Sequence, residues 1–469
     1  MEPELGQSLD FPGTCSGEAA AAGMNQLVFG GEGAVRLRSE LLSSELESAA
    51  VVLANPVPAT ENSWRLLVTD VEVVPSNAYQ ERSEGSIVLP PEYLARFIKK
   101  ARVAGRSMVF VHTHPWDGPI NPSPIDRQGE LDLLPTVFDR VPGVPHGRLI
   151  LGRSGHHAAL LTDLASESPL EVIDIGKSIY RFNGLKGDGP GLEEFDRQVR
   201  VFGVDGQRRV ESFSVAIVGL GGTGSIVAQE LAHLGVRKFL LIDPDVLELS
   251  NLNRVVSATP SDVGHSKVSV AESAIVRVNP RARVETIQDT VLKNSVAREL
   301  LRCDLFFICT DSHGSRAILN QFAYQYLVPG FDLGIQIDAR KGRVSQMSGR
   351  VQMLAPGLAC LVCTELLDPE EVRRDLMSEL ERRADPYIPG VREPQPAVIS
   401  LNSTVASLAV TMYLAAVAGI PARSRYQVVR FDIGVVRSIE NKQNPDCVVC
   451  SPRGALGRGD SWDLPGRKV

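Results

Sequence analysis

Three groups of residues in this chain have types and spacings that do chemistry. The first lies in VHTHPWDGPINPSPIDRQGE, residues 111–130, where His112 and His114 stand one residue apart at the end of a β-type run. On a strand, residues two apart point to the same side of the backbone. Asp126, at the start of the next helix, can return as a third ligand. Three N/O ligands leave a fourth position for water, the arrangement of a catalytic zinc site. The second group is Gly219, Gly221, Gly222 and Gly224 between two apolar runs, with Asp243 closing the second run. Such glycines let a backbone approach phosphate, the following helix N-terminus offers free N–H groups, and the acid falls where a ribose hydroxyl would be met. The third is Cys360-Leu-Val-Cys363 with Cys447-Val-Val-Cys450. Four thiolates in two CxxC pairs make a closed tetrahedral zinc site, structural in role. A thioredoxin-like redox motif needs one CxxC at a helix start, not two distant ones.

Elements must position these groups. Val215–Val218 is an apolar β-type run, Ser225–Leu234 a helix-periodic segment and Phe239–Ile242 a second apolar run. Strand, glycine turn, helix, strand, acid is a nucleotide-binding βαβ unit. Upstream, Met24–Ile175 reads as α+β: a helix-like stretch Ala34–Glu47, an apolar run Ala49–Ala54, a strand Trp64–Val74, an amphipathic helix Pro91–Val103 and a strand Ser107–His112. Residues 1–23 read as a disordered tail, with Met24 as an alternative start. Residues 181–193, which hold GLKGDGPG, read as a linker between folded units at 24–180 and 194–453, and residues 454–469 as a flexible tail.

Composition narrows the function classes. A net charge of −7 argues against nucleic acid as the main partner. No apolar run reaches spanning length, and Val405–Ile420, broken by Ser407, Thr411 and Tyr413, reads as a buried helix and not a membrane segment. The N-terminus lacks a basic n-region, and seven cysteines, four of them in CxxC pairs, suit a reducing compartment; a cytoplasmic protein is expected. Cys303 and Cys309 read as small core residues, and Cys15 lies in the tail.

Two resemblances run through these residues. His112-Thr-His114-Pro115, then Ser123 and, two residues on, Asp126, resembles the JAMM (MPN-plus) metalloprotease motif. It implies an upstream glutamate as general base, just before a small-residue apolar strand. Glu47 fits that place best, and Glu45 is the runner-up. By the same resemblance Glu47 would take a proton from zinc-bound water, and Ser123 would hydrogen-bond the tetrahedral oxyanion. Further on, the glycine turn followed by DPDVLELSNLNR resembles the adenylyltransferase family of ThiF, MoeB and the ubiquitin-activating enzymes, over roughly Phe195 to Cys450, and FDRQVRVFGVDGQ resembles its opening. That resemblance implies ATP-dependent adenylation of a protein's C-terminal carboxylate, not hydride transfer. It gives Asp243 the ribose, Asn251, Arg254 and Lys267 the phosphates, and Asp311 a Mg²⁺ ion. It has Arg197 reach the triphosphate of a neighbouring subunit, hence a homodimer. Leu366–Pro396 would hold a loop crossing the substrate's tail, AVISLNSTVASLAV the returning helix, and MoeB-like members share the four-cysteine arrangement.

The combined expectation is an N-terminal JAMM/MPN α+β domain followed by a Rossmann-like, doubly wound ThiF-type α/β domain with a structural zinc. Its cofactors would be ATP, Mg²⁺ and two Zn²⁺, one catalytic and one structural. Its partner would be a ubiquitin-like or sulfur-carrier protein ending in glycine, trimmed or deconjugated by one site and adenylated by the other. A ubiquitin-conjugating-like enzyme or a sulfur donor would take the acyl-adenylate, because no cysteine lies between Cys363 and Cys447 to serve as a nucleophile. Sulfur-carrier activation toward a thiocarboxylate and a non-catalytic scaffold are the alternative readings. The intact metal triad and nucleotide residues weigh against the scaffold.

Overall fold

The computed structural model describes residues 24–182, 193–340, 343–378, 381 and 396–467. The expected tail 1–23, linker residues 183–192 and residues 382–395 of the crossing loop lie outside them.

In the first unit the chain runs β1 (Asn25–Gly30), α1 (Gly33–Leu41), β2 (Ala49–Thr60), β3 (Ser63–Val73), a short hairpin β4 (Glu81–Arg82) and β5 (Ile87–Val88), α2 (Pro91–Ala104), β6 (Ser107–His114), α3 (Pro124–Arg140), β7 (His146–Gly152), β8 (His156–Leu161), β9 (Glu167–Ile175) and β10 (Ile179–Arg181). The large sheet has the order β1-β3-β2-β6-β7-β8-β9-β10, and β1 also pairs with β9, closing the sheet on itself. The run Ala49–Ala54 is apolar at every position because both faces of β2 are covered. Ala50, Val52 and Ala54 join Leu27, Phe29 and Leu37 in one core, and Val51 and Leu53 join Phe97, Ala101 and Val137 in another. β6 alternates the same way, Val109 and Val111 to the first core and Met108 to the second. The period of two then carries His112 and His114 along the Met108 row, toward the helical side. One expectation is corrected: the helix does not run to Glu47. α1 ends at Leu41, and Ser43 and Ser44 follow with hydroxyls bonded to nearby backbone, a local competitor of the helix ladder.

The second unit runs α4 (Asp196–Ser212), β11 (Ser214–Val218), α5 (Gly222–His233), β12 (Lys238–Ile242), α6 (Lys267–Val278), β13 (Arg283–Ile287), α7 (Asn294–Arg298), β14 (Leu305–Ile308), α8 (His313–Gln325), β15 (Gly330–Arg340), β16 (Arg343–Leu354), α9 (Pro369–Leu376), α10 (Ile399–Val417), β17 (Tyr426–Arg430) and β18 (Val435–Ser438). Its sheet order is β13-β12-β11-β14-β15-β16-β17-β18, parallel through β15 and antiparallel beyond. The strand order reverses between β11 and β14, which opens a ligand crevice at their C-terminal ends. Among the described residues α10 is the one helix long and apolar enough to cross a membrane. Its Val405, Ala409, Met412 and Ala416 are buried in the sheet core, and its exposed stripe is Ser400, Thr404, Ser407 and Thr411.

The two units share one core. Val28, Val57, Leu67, Ile173, Ile175 and Ile179 cluster with Phe213, Leu305 and their neighbours. Arg65, 1% exposed, donates across the seam to the carbonyls of Tyr326 (3.0 Å) and Leu327 (2.6 Å). Arg181 pairs with Asp304 and lies over the Phe213 ring. Arg181, expected in the linker, is thus part of β10 and of the seam. Residues 454–469 were expected as a flexible tail, and Gly454–Arg467 corrects this. Ala455 and Leu464 are buried, Asn55 Nδ2 donates to the Gly457 carbonyl at 2.7 Å, and Gln325 Nε2 donates to the carbonyls of Gly459 and Trp462. Glycine-rich composition reads as flexible, but here its bare backbone supplies carbonyls to buried donors.

Candidate functional sites

The crevice at the switch point is a cavity of about 930 Å³. Gly219, Gly221, Gly222, Asp243, Arg254, Lys267 and Asp311 all line it. Gly219 has φ +93°, and a Cβ there would lie 2.8 Å from the Cys309 carbonyl, so only glycine fits the turn. Gly224 does not line the cavity; a Cβ on it would sit 1.8 Å from the Gly219 carbonyl oxygen, so its bareness lets α5 seat against β11. Asp243 is 4% exposed and burial raises its carboxyl; its Oδ2 accepts from Leu220 N at 2.6 Å and its Oδ1 from Asp245 N at 2.9 Å. Both oxygens keep a second lone pair for a ligand hydroxyl. Lys267 Nζ stands 2.7 Å from Asp245 Oδ2, and Arg254 is held by the Ser250 carbonyl at 2.7 Å.

Asn251 is not among the residues lining the cavity. It is buried and shapes the loop that carries Arg254, accepting from Glu248 N at 3.1 Å. Arg197, on α4, is exposed and away from this cavity. Cys303 is core as expected, but Cys309 is half-buried and lines the cavity, with burial pushing its thiol up to about 12.

Sequence reasoning missed the opposite wall. Asp332, fully buried, pairs with Arg316 and, at 3.0 Å, with Arg350, while Arg316 also donates to the Thr310 and Leu333 carbonyls at 2.7 Å. Gln336, Ser348 and Arg350 lie on one polar face of β15 and β16, with Val428 of β17 beside Arg350. A buried carboxylate opposite two arginines has no local sequence signature, because its partners stand 16 and 18 positions away.

In the first unit, His112 Nε2 and His114 Nε2 each lie 3.2 Å from an Asp126 carboxylate oxygen, and Glu47 Oε1 lies 3.8 Å from His114 Nε2. Both Nε2 atoms are buried without a hydrogen-bond partner. Orphaned ring nitrogens facing a carboxylate are what a cation would satisfy, and the three donors suit zinc. Ser123 caps α3: its Oγ accepts from Asp126 N at 3.1 Å, and Asp126 Oδ2 accepts from Ser123 N at 2.6 Å. This reciprocal box aims the Asp126 carboxylate. Burial would raise Asp126, but the two histidine rings 3.2 Å away and the Ser123 N–H hold its carboxyl well below the usual range. Glu47 is 3% exposed and pushed up to about 7 by burial, against the pull of His114. Glu45, the runner-up, faces outward and pairs with Arg153 at 2.5 Å. The Trp116 ring stacks on His114 at 4.4 Å, and Arg82 fixes the Glu47 carbonyl at 2.7 Å, two supports the sequence did not suggest.

The four cysteines converge. Their sulfurs stand 3.7 Å (Cys360–Cys363), 3.6 Å (Cys360–Cys447) and 3.5 Å (Cys363–Cys450) apart. A tetrahedral ion with metal–sulfur bonds of about 2.3 Å needs sulfurs roughly 3.8 Å apart. The cage therefore fits zinc with little adjustment.

A doubly wound sheet with a glycine cradle, an acid at the next strand end and two cations over the same crevice defines a nucleotide-binding α/β domain. Residues 195–449 match the ThiF family, and the chain belongs to that family. Relatives include ubiquitin-like modifier-activating enzyme 5 of Drosophila persimilis, 31% identical over 205 residues that make up 39% of this chain and 51% of that protein. Protein HesA of Leptolyngbya boryana is 29% identical over 186 residues, 39% of this chain and 64% of that protein. The chain thus spans about half the length of the first of these. A solved structure of E. coli MccB with MccA-N7isoASN covers 56% of this chain and 76% of that one at 19% identity and a TM-score of 0.45, too distant to carry an argument. The ThiF match begins at Phe195 and leaves the first unit outside it.

Proposed function

We propose that this chain adenylates the C-terminal carboxylate of a ubiquitin-like or sulfur-carrier protein in its second unit, and hydrolyses a bond after a C-terminal glycine of such a protein in its first. The observation that carries the first half is one continuous cavity with two different walls. Gly219, Gly221 and Gly222, with Arg254 and Lys267, suit a triphosphate, and the polar strand face of Gln336, Ser348 and Arg350 offers an extended tail a place beside it. Asp243 would accept from the ribose. A Mg²⁺ ion at Asp311 would supply positive charge to the phosphates. The tail's carboxylate oxygen attacks the α-phosphorus, the bond to the β-phosphate oxygen breaks, and pyrophosphate leaves. The test is ATP–pyrophosphate exchange with a glycine-terminated ubiquitin-like protein. Exchange should need both partner and terminal glycine; exchange indifferent to either would sink the reading.

The first-unit activity is supported by the His112–His114–Asp126 triad with Glu47 beside it. A zinc ion held there would supply water acidic enough to attack near neutral pH. Glu47 would take the proton and return it to the leaving amine. Ser123, whose Oγ uses only a lone pair in capping Asp126, keeps its O–H to donate to a developing oxyanion, worth ~3 kcal/mol.

The acyl-adenylate should pass straight to an outside nucleophile. Cys303 is buried and its thiol raised, Cys309 is pushed up to about 12, and the other four described cysteines form the cage. A thiol raised this far presents almost no thiolate at neutral pH. Incubation with ATP, Mg²⁺ and partner should give no reductant-sensitive adduct on gels. An adduct abolished by Cys309→Ala would make the chain a complete thioester-forming enzyme.

A further inference from the structure

The seam between the two units satisfies its buried cations with care. Arg65 finds two carbonyls, and Arg181 finds Asp304 and Glu171. Two arginines in the same seam do not follow this rule. Arg106 precedes β6 and comes from the first unit; Arg458 comes from the C-terminal segment of the second. Neither has a carboxylate partner among the described residues. Arg106 Nε is buried with no hydrogen-bond partner, as is Arg181 Nε, but Arg181 has two carboxylates beside it and Arg106 has none paired to it. Arg458 has two long contacts, to the Gly454 (3.3 Å) and Pro452 (3.4 Å) carbonyls of its own segment, and lies over the Trp462 ring at 6.0 Å. Asp70, the acid whose charge acts on Arg106, is already paired with Lys100, and the Arg458 charge opposes that of Arg106.

Both guanidinium groups line a separate cavity of about 290 Å³, walled by Thr69 and Gly31 on one side and by Leu327, Gly357 and Gly457 on the other. Glycines with positive φ at Gly31 and Gly357 leave open space where side chains would project. In a chain of net charge −7, two cations that line one half-buried pocket with no carboxylate paired to either repel each other at a cost that an anion would remove. Two planar forks of donors match the oxygens of a phosphate group, and two charges call for an anion of charge −2 or more, which a single carboxylate does not carry. The volume sits at the lower end of small-molecule pockets, roughly 300–1,000 Å³, which suits a pyrophosphate-sized ligand and is too small for a nucleoside triphosphate.

We propose that the seam between the two units is a binding site for a small phosphate-type anion, with Arg106 and Arg458 as its two ligands. Because one ligand comes from each unit, an occupant ties the units together. The proposal stands independently of the adenylation reading. Its test is calorimetric titration of the full chain with inorganic pyrophosphate, in a background where Arg254→Gln and Lys267→Gln silence the switch-point cavity. One saturable site should survive there, and Arg106→Gln or Arg458→Gln should each weaken it by at least tenfold. Pyrophosphate should also raise the thermal midpoint of that background, and not of the seam variants. Absence of saturable binding in the silenced background, or affinity within twofold of it in both seam variants, overturns the site. Should Arg106→Gln fail to fold, Arg458→Gln and the milder Arg106→Lys decide the matter by the same criteria.

Discussion

Glu47→Gln should lower cleavage after the terminal glycine of a ubiquitin-like fusion by ~10²–10⁴-fold, the span of a lost general base, and leave ATP–pyrophosphate exchange within about twofold. Asp311→Ala should do the reverse. The two substitutions separate because the geometry separates the sites. β2 holds Ala49 beside His112 and holds Val57 in the shared core, roughly 26 Å further along at about 3.3 Å per residue. β14 starts next to Asp304, which binds Arg181 at the seam, and ends at the cavity lined by Asp311. Each site therefore stands a full strand away from the junction. A charge change at one reaches the other only weakly, since two unit charges about 26 Å apart interact by only about 0.6 kcal/mol even at an effective dielectric of about 20. Glutamine keeps the size of Glu47, and the Arg82 bond is to its backbone carbonyl, so the fold should survive the change. Measuring both activities on each variant decides it: either substitution erasing both activities in a folded chain would refute two independent sites.

Much of this arrangement is legible in the sequence, for a physical reason. His112 and His114 share a strand face, Ser123 and Asp126 share a first helical turn, and each CxxC sits in one tight turn, so local periodicity already fixes what those side chains can do together. The choice of Glu47 over Glu45 rested on distance to the following strand, and the structure separates the two by burial: Glu47 continues the inward row of Val51 and Leu53, while Glu45 meets Arg153 in solvent. What stayed hidden depends on contacts distant in sequence. Nothing near Arg65 in the sequence points to its acceptors, the Tyr326 and Leu327 carbonyls 261 and 262 positions away. Asp332 is matched to Arg316 and Arg350 only by the fold that brings α8 and β16 to it. Residues 454–467 misled because composition reports what a segment could do alone, and this one is ordered by Asn55, Tyr324 and Gln325. Asn251 shows the converse: a motif residue can act by shaping the loop and not by facing the cavity.

Cys360→Ser should cost the second unit its fold under ordinary conditions. Structural zinc contributes roughly 10–16 kcal/mol of apparent binding free energy at neutral pH, and a domain's net stability is only about 5–15 kcal/mol. Losing one thiolate from a closed four-sulfur cage removes much of that contribution. The damage cannot stay local, because the cage joins segments distant in the chain. Cys360 is fully buried, Leu361 N donates to Asn320 Oδ1 of α8 at 2.8 Å, and Gln352 of β16 donates to the Ala359 carbonyl at 2.7 Å. On the other side, Cys447 and Cys450 start the segment that reaches the seam, where Gly457 bonds both Tyr324 and Asn55. Opening the cage therefore loosens α8, the sheet edge and the junction together. Two zinc ions per chain are expected in the wild-type protein. Mild chelation should remove the one at His112, His114 and Asp126 first, because three protein ligands leave it an open position, whereas the cage is closed. Cys360→Ser should retain at most that more labile ion, lose its cooperative thermal transition or show it lowered by well over 10 °C, and expose the second unit to protease. Cys309→Ala, which removes a thiol outside the cage, is the control and should keep both ions. A Cys360→Ser chain with unchanged metal content and thermal midpoint would show that the four sulfurs hold no structural ion.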